Sequence, residues 1–165
     1  MKTRLLPLIA VAAFTMGYTF RAYNSPQSTF TMKRVTSIGG IFFKCKNPKT
    51  MKDWYSSHLG LNTDAYGTNF EWRHSEDGSK KGYTQWSPFG EASKHFEGQW
   101  MINYRVENLD LLVAELKMEG VTILDKIESF AYGKFVHIMD PEGNRIELWE
   151  PNDVEYEKIC EGITK

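Results

Sequence analysis

"WMINYRVENLDLLVAELKMEGV", residues 100–121, echoes "IGGIFFKCKNPKTMKDWYSSHLGL", residues 38–61, and the pairing of these two stretches decides the fold. Each opens as an apolar strand, passes through an asparagine and continues as one helix that stops at a glycine. In the first copy Asn47 is the cap and Pro48 takes the first helical position, where its missing N–H costs nothing. Gly60 ends that helix. In the second copy Asn108 is the cap, Leu109, Leu112, Val113 and Leu116 recur at helical spacing, and Gly120 is the stop. Strands follow both helices: "NFEWRHS" and "GYTQWSPF" after the first, "VTILDKIES", "GKFVHIM" and "RIELWEP" after the second. "TQWSP" (84–88) and "ELWEP" (147–151) both carry Trp and then Pro at the same spacing, which aligns the closing strands. The pattern predicts an α+β domain over residues 35–152, built from two βαβββ modules at 35–90 and 98–152.

The last hairpin is the most explicit local signal. In "DPEGNRIELWEP", residues 140–151, Pro141, Gly143 and Asn144 supply turn chemistry, because Pro presets φ while Gly and Asn accept positive φ. The strand after it alternates, with Ile146 and Leu148 on one face and Arg145, Glu147 and Trp149 on the other. Glu147 is therefore either solvated or aimed into a cleft. With the turn over Asp140 to Asn144, Met139 pairs with Arg145 and His137 lies directly opposite Glu147.

Composition excludes one broad class. The formal net charge is −1, and no Lys/Arg cluster follows the short amino-terminal one, so nucleic acid is not an expected partner. Lys2 and Arg4 precede a charge-free apolar run from Leu5 to Phe20, then Arg21 and a polar stretch. This is the layout of a secretory signal over residues 1–22, followed by a linker at 23–34. The small-residue site after Ala22 is a poor one, so an uncleaved membrane anchor is the rival. A full bilayer span needs about 20 apolar residues, and this run contains Pro7 and Gly17. Either way the domain is expected outside the cytoplasm, periplasmic, extracellular or tethered. Its membrane contact would run only through that segment. Cys45 and Cys160 are too few for a disulfide framework and are read as independent thiols.

The closing motif, the helix end "WYSSHLGL" and the unit "NYRVENLDLLVAELKMEGV" together resemble the vicinal oxygen chelate superfamily, which includes glyoxalase I, bleomycin-resistance proteins and extradiol dioxygenases. The resemblance covers roughly residues 35–152. It implies a glyoxalase-like fold whose paired modules curl around a cleft. It also implies, for the enzymes of the family, a divalent metal with one ligand from the first and one from the last strand of each module. Carried over, those positions are Gly40 and Met101 in the first strands and Thr84 and Glu147 in the last. Glycine has no side chain and a thioether is a soft, weak ligand. A catalytic site needs about three protein ligands and an open position. The expectation is thus a cleft without the usual metal centre or another cofactor, the alternative being a divalent metal held in a non-standard way that includes Glu147.

Strand parity with these positions places Phe42, Trp86, Asn103, Arg105 and Trp149 inward, an aromatic-walled pocket with a few polar groups suited to a small organic ligand. Asn103 and Arg105 would fix a carbonyl or carboxylate. For Trp86 and Trp149 core packing is an equal reading, and Arg105 could instead be a rim residue paired with an acid. His137 and Glu147 read either as an acid–base pair or as a structural hydrogen bond inside a binding cleft. His74 with Glu76 and His95 with Glu97 are expected to be solvated, and His58 to sit at a helix end. Residues 153–165 are expected to form a tail with a short helix and no function of their own.

Two functions of different class follow. The first is a binder of a small organic molecule in the cleft, without turnover. The second is a glyoxalase-like lyase or isomerase that uses Glu147 with His137. A homodimer is left open, because two modules can build the cleft within one chain or by exchange.

Overall fold

The computed structural model describes residues 34–161. Strand β1 (Val35–Cys45) leads into helix α1 (Pro48–Leu59), then β2 (Thr68–Arg73) and β3 (Lys81–Gly90). The second half runs β4 (Trp100–Val106), α2 (Leu109–Met118), β5 (Thr122–Ile123), β6 (Glu128–Phe130), β7 (Gly133–Met139) and β8 (Arg145–Pro151). A third helix, α3 (Asp153–Cys160), closes the described chain. All strands join one curved sheet in the order β2-β3-β1-β4-β8-β7-β5, with β6 also on β7.

The expected caps are in place. Asn47 accepts from the Thr50 N–H and Asn108 from the Leu111 N–H, and Gly60 closes α1 with φ 66°. Asn108 itself has φ 48°, a conformation asparagine tolerates better than most side chains. A second acceptor reaches the same helix start, since Glu150 Oε2 takes the Leu109 N–H at 2.6 Å. That places a carboxylate at the positive end of α2.

The modules meet at the antiparallel pair β1/β4, and in each module the first strand runs parallel to the last, β1 with β3 and β4 with β8. The second module matches the expected pattern except that "VTILDKIES" is interrupted: β5 and β6 pair separately with β7, and between them Leu124 N–H bonds the His137 carbonyl while the Asp125 side chain takes the His137 N–H. The first module has two strands after its helix rather than three, because residues 60–67 form a turn in which Asp64 accepts the Tyr66 and Gly67 N–H groups.

Alternation decides which side chains face the cleft. Ile146 and Leu148 of β8 join Tyr104 and Val106 of β4 beneath Leu109, Leu112 and Val113 of α2. The opposite faces of these strands carry Glu147, Trp149 and Asn103 toward the concave side. Helix α1 is packed more thinly than α2. None of its residues is fully buried, and Tyr55 lies on Trp86 with ring centroids 4.6 Å apart.

The tail does more than expected. Helix α3 turns Tyr156 and Cys160 inward against Tyr83 and Trp149, forming an aromatic cluster at one side of the cleft. Its anchors are the Arg105–Asp153 ion pair and a 2.9 Å hydrogen bond from the Tyr156 hydroxyl to Asn69 on β2. Cys45 and Cys160 are both free and buried, and burial pushes the Cys160 thiol up to about 11. It is therefore held as an unreactive thiol. The apolar leader read as a signal or anchor lies outside the described residues, and no helix among the described residues is long and apolar enough to cross a membrane.

Candidate functional site

The cleft holds a cavity of about 510 Å³ with an aromatic wall and one charged corner. Glu147 stands at that corner, 4 % exposed, directly across the hairpin from His137 as the turn chemistry requires. The hairpin turn carries Gly143 at φ 84°, and Asp140 N–H bonds the Asn144 carbonyl, so Met139 and Arg145 face each other.

The Glu147 carboxylate is engaged on both oxygens. Asn103 donates its amide N–H to Oε2 at 2.5 Å, and His137 Nε2 lies 3.0 Å from Oε1, within ion-pair range although its N–H is not aimed straight at that oxygen. A carboxylate only accepts, so the Asn103 amide must turn its NH2 to Glu147 and its oxygen away, against Gly39. On the other side of the ring, His137 Nδ1 sits 2.7 Å from Asp125 Oδ2, and Asp125 Oδ1 also accepts the His137 backbone N–H. Arg145 bonds the same Asp125 carboxylate at 3.1 Å. His137 is thus clamped between two carboxylates. Burial alone would lower its pKa, but the bonds and charges of Glu147 and then Asp125 outweigh burial and hold it above the ordinary histidine value.

Asp125 was not legible as a site residue. Its only signal was an acid inside the apolar pattern "VTILDKIES", at the point where the strand breaks. His95 is exposed as expected, yet it sits on the segment joining the modules, stacks on Phe89 at 5.0 Å and brings Nε2 to 4.0 Å from Glu147. Partial burial there lowers its pKa, and the Glu147 charge opposes this in part. His74 packs beside Trp72 and His58 beside Trp54, both away from this cavity.

The expected ligand-binding residues divide. Phe42, Asn103 and Trp149 line the cavity. Trp149 is stacked on Phe135 at 5.7 Å with 7° between the rings, and its indole N–H bonds the Tyr132 carbonyl. Trp86 does not reach the cavity. It pairs with Ile41, so it shares a face with Phe43 and packs under α1. The reason is register. Asn103 pairs with Glu147, while its counterpart in the first module, Phe42, pairs with Ser87 rather than with Thr84. The Trp-x-Pro alignment is therefore three residues out, and an odd slip turns every side chain to the other face. Gln85 and Ser87 line the cavity, and Thr84 instead donates its hydroxyl to the Ile38 carbonyl.

Arg105 also departs from expectation. It is 1 % exposed, lies between the Trp72 and Trp149 rings and holds Asp153 of α3. It braces the back of Trp149 and is not part of the cavity lining. Of the four metal positions carried over from the family, Gly40 has no side chain, Met101 offers only a soft thioether, Thr84 lies off the cavity while Ser87 in its place bonds the Tyr66 carbonyl, and Glu147 is held by Asn103 and His137. Met101 is packed with Phe42 and Phe96. Among the described residues no group of three His, Cys, Asp or Glu side chains is placed to hold a metal ion. The residues present do not fit the family's metal centre.

The model of the Glyoxalase/Bleomycin resistance protein/Dioxygenase superfamily matches residues 37–148, and the chain belongs to that superfamily. No curated protein matches it. Among solved structures, methylmalonyl-CoA epimerase from Mycobacterium tuberculosis is 17 % identical, with a TM-score of 0.53 over 76 % of this chain and 94 % of that one. A Streptomyces coelicolor methylmalonyl-CoA epimerase in complex with 2-nitronate-propionyl-CoA is 18 % identical, with a TM-score of 0.54 over 72 % and 99 %. At these identities the likeness is one of fold.

Proposed function

We propose that this domain binds a small, flat organic molecule in its cleft and does so without the metal centre of the superfamily's enzymes. The observation that carries the reading is the state of Glu147. It is the one carboxylate at a family metal position, and both of its oxygens are committed to Asn103 and His137. The rest of the cavity is suited to holding rather than cutting: Phe42, Phe135, Tyr132 and Trp149 supply aromatic walls, and Gln85 and Ser87 supply neutral polar contacts. The charge-flanked apolar leader supports a place outside the cytoplasm for this activity.

The test is elemental analysis of the protein purified without chelators or a His tag, after incubation with zinc, nickel, manganese and iron(II). Metal well below one ion per chain, unchanged in Glu147→Gln, is expected. Near-stoichiometric metal that disappears in that variant refutes the reading. A flat neutral probe, 2-naphthamide, should quench tryptophan fluorescence saturably and to the same extent with and without EDTA. Absence of saturable binding counts against the cavity as the site.

A second reading rests on the Asp125–His137–Glu147 arrangement, which can hold and pass a proton at the cavity wall. On that reading the protein is a lyase or isomerase of a small carbonyl or hydroxy compound, and Glu147→Gln abolishes turnover. Turnover retained in that variant removes Glu147 from the chemistry.

A further inference from the structure

Asp125 and Arg145 face two cavities. On one side they form the charged corner of the site described above, and on the other they line a second, open chamber of about 680 Å³. Its lining is mixed, with Trp100, 59 % exposed, Met139, 36 % exposed, and Leu124 as the apolar members and Glu97 as an acid among them. Gln99 and Asn144 supply its neutral polar contacts. The segment joining the two modules lies over both spaces: Lys94 and His95 line the first, and Glu97, Gly98 and Gln99 line the second. Gly98 and Gly143 border the second chamber with positive φ, and a side chain at either would meet nothing.

The wall between the chambers consists of unequal parts. Asp125 is fixed by the His137 ring, the His137 backbone N–H and Arg145. Arg145 has a single bond, to Asp125, and its Nε is buried without a partner. A guanidinium has five donor hydrogens in a planar fork, so Arg145 retains unused donors at the junction. It can rotate toward a ligand oxygen while Asp125 stays in place on its two bonds to His137.

We propose that the two chambers form one two-part site for an elongated ligand, whose flat apolar head lies between Phe42 and Trp149 and whose tail passes the Asp125–Arg145 pair into the second chamber. Arg145 meets a carbonyl or carboxylate oxygen at the point where head joins tail. Trp100 and Met139 carry the tail's carbon chain, and Gln99 and Asn144 its polar end. This rests on the cavity being the ligand site, and it adds the ligand's length and the position of its acceptor group.

Two probes separate the two ideas, both read by tryptophan quenching and by calorimetry on the full chain. 2-Naphthamide carries the flat head and the junction carbonyl, and 2-naphthoylglycylglycine adds only the tail beyond it. The long probe is expected to bind about tenfold more tightly. Gln99→Trp, at an exposed position on the joining segment, should remove that advantage and leave 2-naphthamide unchanged. Arg145→Met should weaken both probes, because both present the junction carbonyl. Equal affinity of the two probes, or a Gln99→Trp variant that weakens both alike, overturns the two-part site while leaving the head cavity standing. Failure of 2-naphthamide to bind overturns the binding reading itself.

Discussion

Replacing Glu147 with glutamine tests the charged corner most directly, because the two side chains have the same shape. Asn103 keeps an acceptor, since the glutamine carbonyl can take its amide N–H as the carboxylate did. What changes is His137. In the wild-type protein the His137 ring stands 3.0 Å from Glu147 and 2.7 Å from Asp125, both of which favour its protonated form. In the variant one of those two negative partners is gone. A close bond to a charged group contributes about 1.5–3 kcal/mol, which sets the expected loss of stability at low pH. The sign with pH follows from the raised pKa of His137. Its unfolded value is about 6.5. The stabilisation is fully present below that value and is lost as the pH rises through the higher folded pKa. Above it, neutral His137 can donate Nδ1–H to Asp125 and accept from the new amide at Nε2, so the variant's bonds are complete. The cost of Glu147→Gln should therefore be about 1.5–3 kcal/mol near pH 5.5 and close to zero near pH 9. Urea unfolding of both proteins at several pH values measures this directly. A cost that does not change with pH would show that His137 is not held as a cation by Glu147.

Three further perturbations follow from the same geometry. Asp125→Asn and Glu147→Gln should each lower the pKa of His137, because each removes one of the two carboxylates that hold it raised, and a histidine NMR titration reads both shifts. Gly39→Ala would set a Cβ 2.2 Å from Asn103 Oδ1 and 2.8 Å from the Trp149 ring, so it should cost about 1–3 kcal/mol in stability and weaken 2-naphthamide binding. Equal stability and binding in that variant would mean the cavity floor is looser than its packing indicates. Asp153→Asn removes the anionic partner of buried Arg105; because Asp153 is itself 43 % exposed, the cost should be about 1–3 kcal/mol, below that of a fully buried pair. Unchanged thermal unfolding would show that α3 is held by Tyr156, Cys160 and the Lys81–Glu157 ion pair without help from Asp153.

What could be read from the chain is what local chemistry determines. Asn47, Pro48, Gly60 and Asn108 fix helix ends through their own backbone preferences, and each stands where its type requires. The hairpin register that sets His137 opposite Glu147 follows from a turn of four or five residues. Trp86 was misplaced because its face depends on which residue of β3 pairs with β1, a tertiary register that a shared Trp-x-Pro spacing does not encode. Arg105 has the right strand parity yet is taken up by Trp72, Trp149 and Asp153, all three distant in sequence. Asp125, His95 and Tyr156 come from a strand break, a joining segment and a tail. No periodicity marks such residues, and only the folded chain brings them to the cavity.

The duplication is kept in the strand–helix start and the parallel first-to-last strand pairing of each module, and it is unequal in chemistry. At matching places in the sheet, Phe42 pairs with Ser87 in the first module and Asn103 with Glu147 in the second. The first module also contributes Gln85 and Phe89 to the cavity, all uncharged, while the second contributes His137 and Arg145 beside Glu147. A site with the family's symmetric set of ligands would grip a metal from both halves. Here the polar demand lies on one side and the apolar surface on the other. A bound molecule is then oriented by the fold itself, its oxygen toward Arg145 and its flat face along Phe42 and Trp149. Exchanging Ser87 for Glu would restore a carboxylate on the first module's side, but at an uncompensated buried position, because Ser87 is 3 % exposed and has Gln85 and the Tyr66 carbonyl as neighbours. That substitution should destabilise the fold by at least about 3 kcal/mol without a bound cation. Stabilisation of Ser87→Glu by added zinc or manganese, seen as a rise in Tm that the parent protein lacks, would show that the carboxylate missing at this position is one of the differences between this cleft and a metal site.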